Sequence, residues 1–184
     1  MSRTTPPKIS QTKIKLTEAL LCLINEEDRE FDEITVRDIS RVSGLSRTTF
    51  YNNFLDIYDL AFFVFELESM DAVKLMFEED NFIKSFTESM KFMRKNKNFY
   101  EKVVKLEGPN SFVMNYYKKV LKHTKEYYRN QYLTEEVEFA LEIYWTGATL
   151  RLEKWIKDDM KESPEKMGEN FYKSMPEILR LGYK

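Results

Sequence analysis

Glycine and proline are scarce in this chain, with five of each in 184 residues. Turn-rich all-β folds need both in quantity, so the shortage points away from a sandwich or barrel and toward helices. Cysteine is scarcer still: Cys22 stands alone. A single thiol closes no internal disulfide, which fits a reducing compartment and a cytoplasmic location. On the apolar side of its helix, Cys22 reads as a small core residue. His123 is the one histidine; with Lys122 and Lys125 beside it, it reads as a surface residue. One histidine and one cysteine build no typical zinc site. Neither sign of charge dominates, since 29 Lys/Arg face 31 Asp/Glu for a net of -2. A bulk electrostatic footprint for nucleic acid is therefore missing, and any basic patch must be local. No run reaches the ~18 apolar residues of a membrane span, and Met1 to Lys15 lacks the apolar stretch of a signal peptide. Gly-rich phosphate loops, a Gly-x-Ser-x-Gly elbow and a Cys/His nucleophile pair are all missing. The plentiful carboxylates read as solvated helix faces. The expectation is a chain that is not an enzyme, with no cofactor, no metal and no membrane contact.

What is present is hydrophobic periodicity at the helical spacing: 42% of residues are apolar and 15% aromatic. Met1 to Ile9 reads as an extended tail, held so by Pro6 and Pro7. Ser10 caps a first helix carrying Leu16, Leu20, Leu23 and Ile24 at a 3.6-residue period. Glu26 to Glu33 is an acidic connection anchored by Phe31. Further helices are expected over 57–79, 81–95, 98–106, 111–130 and 134–161. The breaks come at Gly108-Pro109 and Ser163-Pro164, and Pro176 is expected to kink the last helix. Asn110 is expected to cap the helix after the first break.

The most specific stretch is Thr35 to Leu60. Thr35 can cap a short helix, with Asp38 three residues on and Val36, Ile39 and Val42 on its inner face. Gly44 supplies a left-handed stop. Ser46 caps a second short helix, Arg47 to about Asn53, with Phe50 and Phe54 turned inward. Asp56 then caps a third. Two short helices around a tight turn are the layout of a helix-turn-helix DNA reader. In such a reader Arg47, Thr48, Tyr51, Asn52 and Asn53 face the major groove, where Arg suits guanine and Asn suits adenine. Thr49 and Tyr51 suit phosphates, as does Arg37 in the first turn of the preceding helix.

These residues resemble the N-terminal domain of the TetR-type transcriptional regulators. The likeness rests on Val36-Arg37-Asp38-Ile39, Ser43-Gly44-Leu45-Ser46, Thr49-Phe50-Tyr51, Phe54 and Asp56-Ile57-Tyr58-Asp59-Leu60, within residues 10 to 65. Tyr144-Trp145-Thr146-Gly147-Ala148 through Trp155-Ile156 resembles, more loosely, the penultimate helix of a branch that includes regulators near dihydroxyacetone-kinase operons. The resemblance implies an all-α protein. Residues 1–60 would form a three-helix helix-turn-helix head. Residues 61–184 would form a helical ligand-binding and dimerisation body. It implies a homodimer on a palindromic double-stranded DNA operator, with heads in successive major grooves ~34 Å apart, and a small-molecule effector of unknown identity. A ligand-responsive repressor is the leading expectation. The DNA-contacting set is Thr35, Arg37, Ser46, Arg47, Thr48, Thr49, Tyr51, Asn52 and Asn53. Members of the family usually carry Lys where this chain has Leu55 and Ile57, and those lysines hold a DNA phosphate.

The charge of the head reinforces that departure. Residues 1–60 hold eight Lys/Arg and ten Asp/Glu, and six of the acids lie in Glu26 to Glu33. Outside that loop, seven bases face four acids. A second expectation follows from Leu55, Ile57 and the loop: a co-regulator or protein-interaction module on the same fold, with weak DNA affinity. In the body, methionines and aromatics can line an apolar effector cavity; Met90, Met93, Met114, Tyr117 and Trp145 are the residues expected there. The last helices carry more apolar residues than one covering face needs. Phe139, Ile143, Leu150, Phe171, Met175 and Ile178 are expected at a four-helix dimer interface.

Overall fold

A computed structural model describes residues 10–64, 82–129 and 133–180. The architecture is all-helical, and no strand occurs among the described residues. The chain divides into two compact units, Met1–Val64 and Phe65–Lys184.

The head begins with α1 (Gln11–Asn25), capped where Ser10 Oγ accepts from the Lys13 amide. A single 3-10 turn, Phe31–Glu33, leads to α2 (Val36–Ser43). Thr35 and Asp38 close a full capping box at its start. Gly44 ends it at φ 68°, in the left-handed region that glycine enters without a Cβ clash. Ser46 then caps α3 (Arg47–Tyr51), which stops at its Asn52 cap, two residues short of the expected end. A fourth helix, α4, opens at residue 57 and is described to residue 64. The expected continuation to Glu79, with Leu67, Val73 and Phe77, lies outside the described residues, as does the tail with Arg3 and Lys8.

The inner face of α1 supplies the middle of the head: Leu16, Leu20, Leu23 and Ile24 are fully buried. Ile39 from α2, Phe50 from α3 and Leu60 from α4 join them. Val36 and Val42 are only half-buried. Phe31 does anchor the acidic connection, with its ring 5.3 Å from Tyr58. Cys22 is half-buried rather than in the core, and its Sγ donates to Glu26 Oε2 at 3.4 Å.

The body comprises α5 (Phe82–Lys95), α6 (Lys97–Val103), α7 (Phe112–Arg129), α8 (Glu135–Lys157), α9 (Pro164–Ser174) and α10 (Glu177–Arg180). Ser111, not Asn110, occupies the cap of α7, with Met114 N donating to its Oγ at 3.3 Å; Asn110 ends a 3-10 turn instead. Thr134 and Ser163 cap α8 and α9 as expected. Helix α8 ends before Lys161. The Met160 amide reaches Trp155 O and the Asp159 amide reaches Ile156 O, a Schellman closure made without glycine. Asp159 adopts φ 67° in it, which Asp tolerates better than most residues. Pro176 does not kink a continuous helix: α9 stops at Ser174 and α10 starts at Glu177.

α5 packs chiefly on α9, and α7 on α8. Phe86 joins three helices, lying 4.8 Å from Phe171 and 5.9 Å from Trp145. Tyr144 Oη donates to Phe171 O at 3.0 Å, and Tyr128 Oη donates to Leu179 O. Trp155 Nε1 donates to Glu162 O at 2.8 Å. Trp145 Nε1 and Thr149 Oγ1, one turn apart on α8, are buried without a hydrogen-bond partner, as is Ser85 Oγ on α5.

Candidate nucleic-acid interface

The polar face of the head is built on α3 and the start of α2. Phe50 is fully buried and stacks edge-on to Tyr51 at 5.4 Å, so the inner face of α3 is pinned by a large aromatic. That leaves Arg47, Thr48, Tyr51 and Asn52 exposed on the other side. Arg37 is exposed near the start of α2. No carboxylate lies within ion-pair distance of Arg37 or Arg47 among the described residues.

The other four expected contact residues hold the helices' own ends. Thr35 Oγ1 donates to Asp38 Oδ2 at 2.6 Å and accepts from the Asp38 amide at 3.2 Å. Those bonds, with Arg29 nearby, hold the Asp38 carboxyl below the usual carboxylate range. Ser46 Oγ accepts from the Thr49 amide and shares a 2.8 Å bond with Thr49 Oγ1. Asn53 turns its Nδ2 back onto Thr49 O at 2.8 Å. The local motif thus divides into residues that build α2 and α3 and residues that present free polar ends.

The start of α4 is occupied by its own carboxylates. The Asp59 amide donates to Asp56 Oδ1 at 2.8 Å, and the Leu55 amide donates to Asp59 Oδ2 at 2.9 Å. A helix N-terminus ordinarily suits an anion; here the chain supplies two. Leu55 is 84% exposed. The acidic connection takes up further cations. Arg41 Nη2 lies 3.3 Å from Glu27, while Arg29 bonds Glu33 O at 2.7 Å and approaches Asp38 at 3.8 Å. Lys13 Nζ lies over the Phe54 and Phe63 rings, at 5.1 and 4.7 Å.

Residues 80–177 match a family model of TetR type, described as the transcriptional regulator C-terminal region. The chain belongs to the TetR family of transcriptional regulators. No curated protein sequence matches it. Among solved structures, this TetR-family regulator resembles the dihydroxyacetone kinase operon activator DhaS at TM-score 0.64 and 15% identity, over 93% of this chain and 97% of that one. It also resembles the TetR family repressor AlkX from Dietzia sp. strain DQ12-45-1b, implicated in biodegradation of n-alkanes. That match has TM-score 0.53 and 14% identity over the whole of both chains. At such identities the likeness is one of fold. One relative is an activator and the other a repressor.

The residues expected around an effector separate in the structure. Met90, Met93 and Trp145 are buried in the body. Met114 is 49% exposed. It lies two residues from Phe112 and from Tyr116, both on the buried stripe of α7, so it points to the far side of that helix. Tyr117 is half-buried along α7. The dimer set separates too. Phe139, Ile143 and Leu150 are exposed on α8, at 67, 60 and 56%. Phe171, on the inner stripe of α9, and Met175, at its C-terminal cap, are instead buried within the chain. Ile178 is half-buried. Beside the exposed α8 residues lies a groove of about 420 Å³ between α8 and α9, lined by Ile143, Gly147, Ala148, Met167 and Phe171 among others. No cluster of His, Cys, Asp or Glu suited to a metal ion occurs among the described residues, and no described helix is long and apolar enough to cross a membrane.

Proposed function

We propose that this TetR-family regulator is a ligand-responsive repressor that binds a palindromic operator as a homodimer. Residues 1–60 serve as the reader, and residues 61–184 as the effector-sensing and dimerising part. The carrying observation is α3: a five-residue helix pinned by Phe50, with Arg47, Thr48, Tyr51 and Asn52 free on the opposite side. Arg47 and Asn52 read base edges, and Arg37, Thr48 and Tyr51 hold phosphates. Thr35, Ser46, Thr49 and Asn53 act by fixing the helix ends. Dimerisation uses the outward apolar residues Phe139, Ile143 and Leu150 with the neighbouring groove. An effector near Met90, Met93 and Trp145 releases the operator if it binds one of two body states more tightly than the other.

The test is a selection of bound duplex from the neighbourhood of the protein's own gene, followed by anisotropy titration with Arg47→Ala. Loss of a bidentate base contact costs about 1–3 kcal/mol, roughly 5- to 150-fold in affinity. The dimer should survive, as judged by size-exclusion elution. Unchanged operator affinity would remove α3 as the reading element.

A second reading is favoured by the start of α4. With Asp56 and Asp59 on its amides and Leu55 exposed, that phosphate site is closed. In this reading the chain is a co-regulator or protein-interaction module with weak DNA affinity. Random duplex at low salt discriminates: binding weaker than the non-specific range of about 10⁻⁴–10⁻⁶ M favours the interaction module.

A further inference from the structure

Helix α7 carries cations that nothing in the DNA-reading assignment uses. Lys118, Lys122, Lys125 and Arg129 follow at spacings of four, three and four, so they share one side of the helix. With Tyr117, Leu121 and Glu126 they line a groove of about 390 Å³. Lys125 is held between Glu138 and Glu142 of α8. Lys118, Lys122 and Arg129 are exposed, and among the described residues none has a carboxylate within ion-pair reach.

Other cations of the body are paired. Lys91 meets Glu88 and Glu165, Lys97 meets Glu101 and Asp159, and Lys166 and Lys173 both meet Glu169. Lys118 and Lys122 stand one turn apart, where like charges destabilise a helix. A chain with more acids than bases nevertheless concentrates free positive charge along about 16 Å of one helix.

The rest of the groove decides between anions. Tyr117 and Leu121 are half-buried beside the cations on the same helix and make up the apolar floor. Glu126 lines the same groove, and Glu138 and Glu142 sit against Lys125. An apolar floor offers nothing to a nucleic-acid backbone, which carries a charge at every residue. A peptide whose carboxylates alternate with apolar side chains meets the cations and covers the floor together.

We propose that this side of α7 docks an acidic, amphipathic segment of a partner protein. The apolar side chains of the segment lie on Tyr117 and Leu121, and its carboxylates reach Lys118, Lys122 and Arg129. The interaction is independent of the head and holds whether or not α3 reads DNA.

The probe is a fluorescein-labelled 15-residue peptide with Glu and Leu at helical spacing, titrated with the full chain by anisotropy at low salt. Saturable binding is expected, weakened at least ~10-fold by Lys118→Glu, Lys122→Glu and Arg129→Glu together. A peptide with every Leu replaced by Ser should bind ~10-fold less tightly, because the floor goes unused. The control variant, Lys105→Glu with Lys154→Glu and Lys161→Glu, makes the same charge change at exposed residues outside the groove. It should retain the peptide, and circular dichroism checks that both variants are folded. No binding of the peptide, or equal loss in both variants, overturns the proposal. So does a 20-base-pair duplex that loses as much affinity as the peptide in the groove variant, which would assign the face to nucleic acid.

Discussion

Gly168 offers a quantitative test of the body's packing. A Cβ at this position would stand 2.6 Å from Thr87 Oγ1, 3.2 Å from Ile83 O and 3.5 Å from the Thr87 amide. Two effects oppose each other in Gly168→Ala. Inside α9, alanine is favoured over glycine by about 1 kcal/mol. Overpacking against α5 costs about 1–3 kcal/mol. The contact with Thr87 is well under van der Waals distance, so the steric cost should win by about 1 kcal/mol. In a Thr87→Ala background the 2.6 Å contact disappears, while the helix-propensity gain stays. There the same substitution should cost less, by about 1 kcal/mol, with only the 3.2 Å approach to Ile83 O left to accommodate. Urea unfolding followed by tryptophan fluorescence is the assay, at fixed protein concentration. Both tryptophans, Trp145 and Trp155, are buried in the body, so the signal reports that unit. If Gly168→Ala costs the same in both backgrounds, the Thr87 hydroxyl is not what requires glycine here.

Two further outcomes follow from the head. Leu55→Lys adds a cation where an exposed leucine makes little packing contribution. It should steepen the dependence of log affinity on log salt by ~0.9 in an operator titration; an unchanged slope means that no phosphate passes this point. Asp38→Asn breaks the capping box and should cost about 1 kcal/mol. The native carboxyl titrates below its unfolded value, so its contribution is complete above ~3.9 and fades as pH falls through the lower native value. Wild type and variant should therefore differ at pH 7 and draw together in acid-unfolding curves; a gap that does not shrink as pH falls contradicts the assignment.

Helix starts in both units are legible in the sequence because their signals are local. Ser10, Thr35 with Asp38, Gly44, Ser46, Thr134 and Ser163 each act within three or four residues, and each takes the expected place. Helix phase was harder to read. α7 has aromatics or methionine at 112, 114, 116 and 117, so composition alone did not separate Met114 from the buried stripe. The apolar richness around α9 suggests two faces, one of them outward with Phe171 and Met175, yet α5 uses the apolar surface of α9. The end of α8 was missed because its Schellman closure uses Asp159 rather than glycine. Arg41 with Glu27 pairs residues fourteen apart, beyond any local pattern. The leucine at 55 was visible, but the bond from its amide to Asp59 was not.

The unpartnered Trp145 Nε1 and Thr149 Oγ1 have a practical consequence. Thr124 and Thr146 on α7 and α8 bond back to the carbonyl four residues earlier, at 2.8 and 2.7 Å, and Thr149 does not. A buried donor left unsatisfied costs about 1–3 kcal/mol, so an acceptor is worth about that much at this spot. A bound molecule that brings an acceptor here gains that bond. At a hundred times its dissociation constant, any ligand of the native state adds about 2.7 kcal/mol. The melting temperature of the body is then a direct gauge of occupancy, and a library of compounds can be ranked by heating the protein with each in turn, before any operator is known.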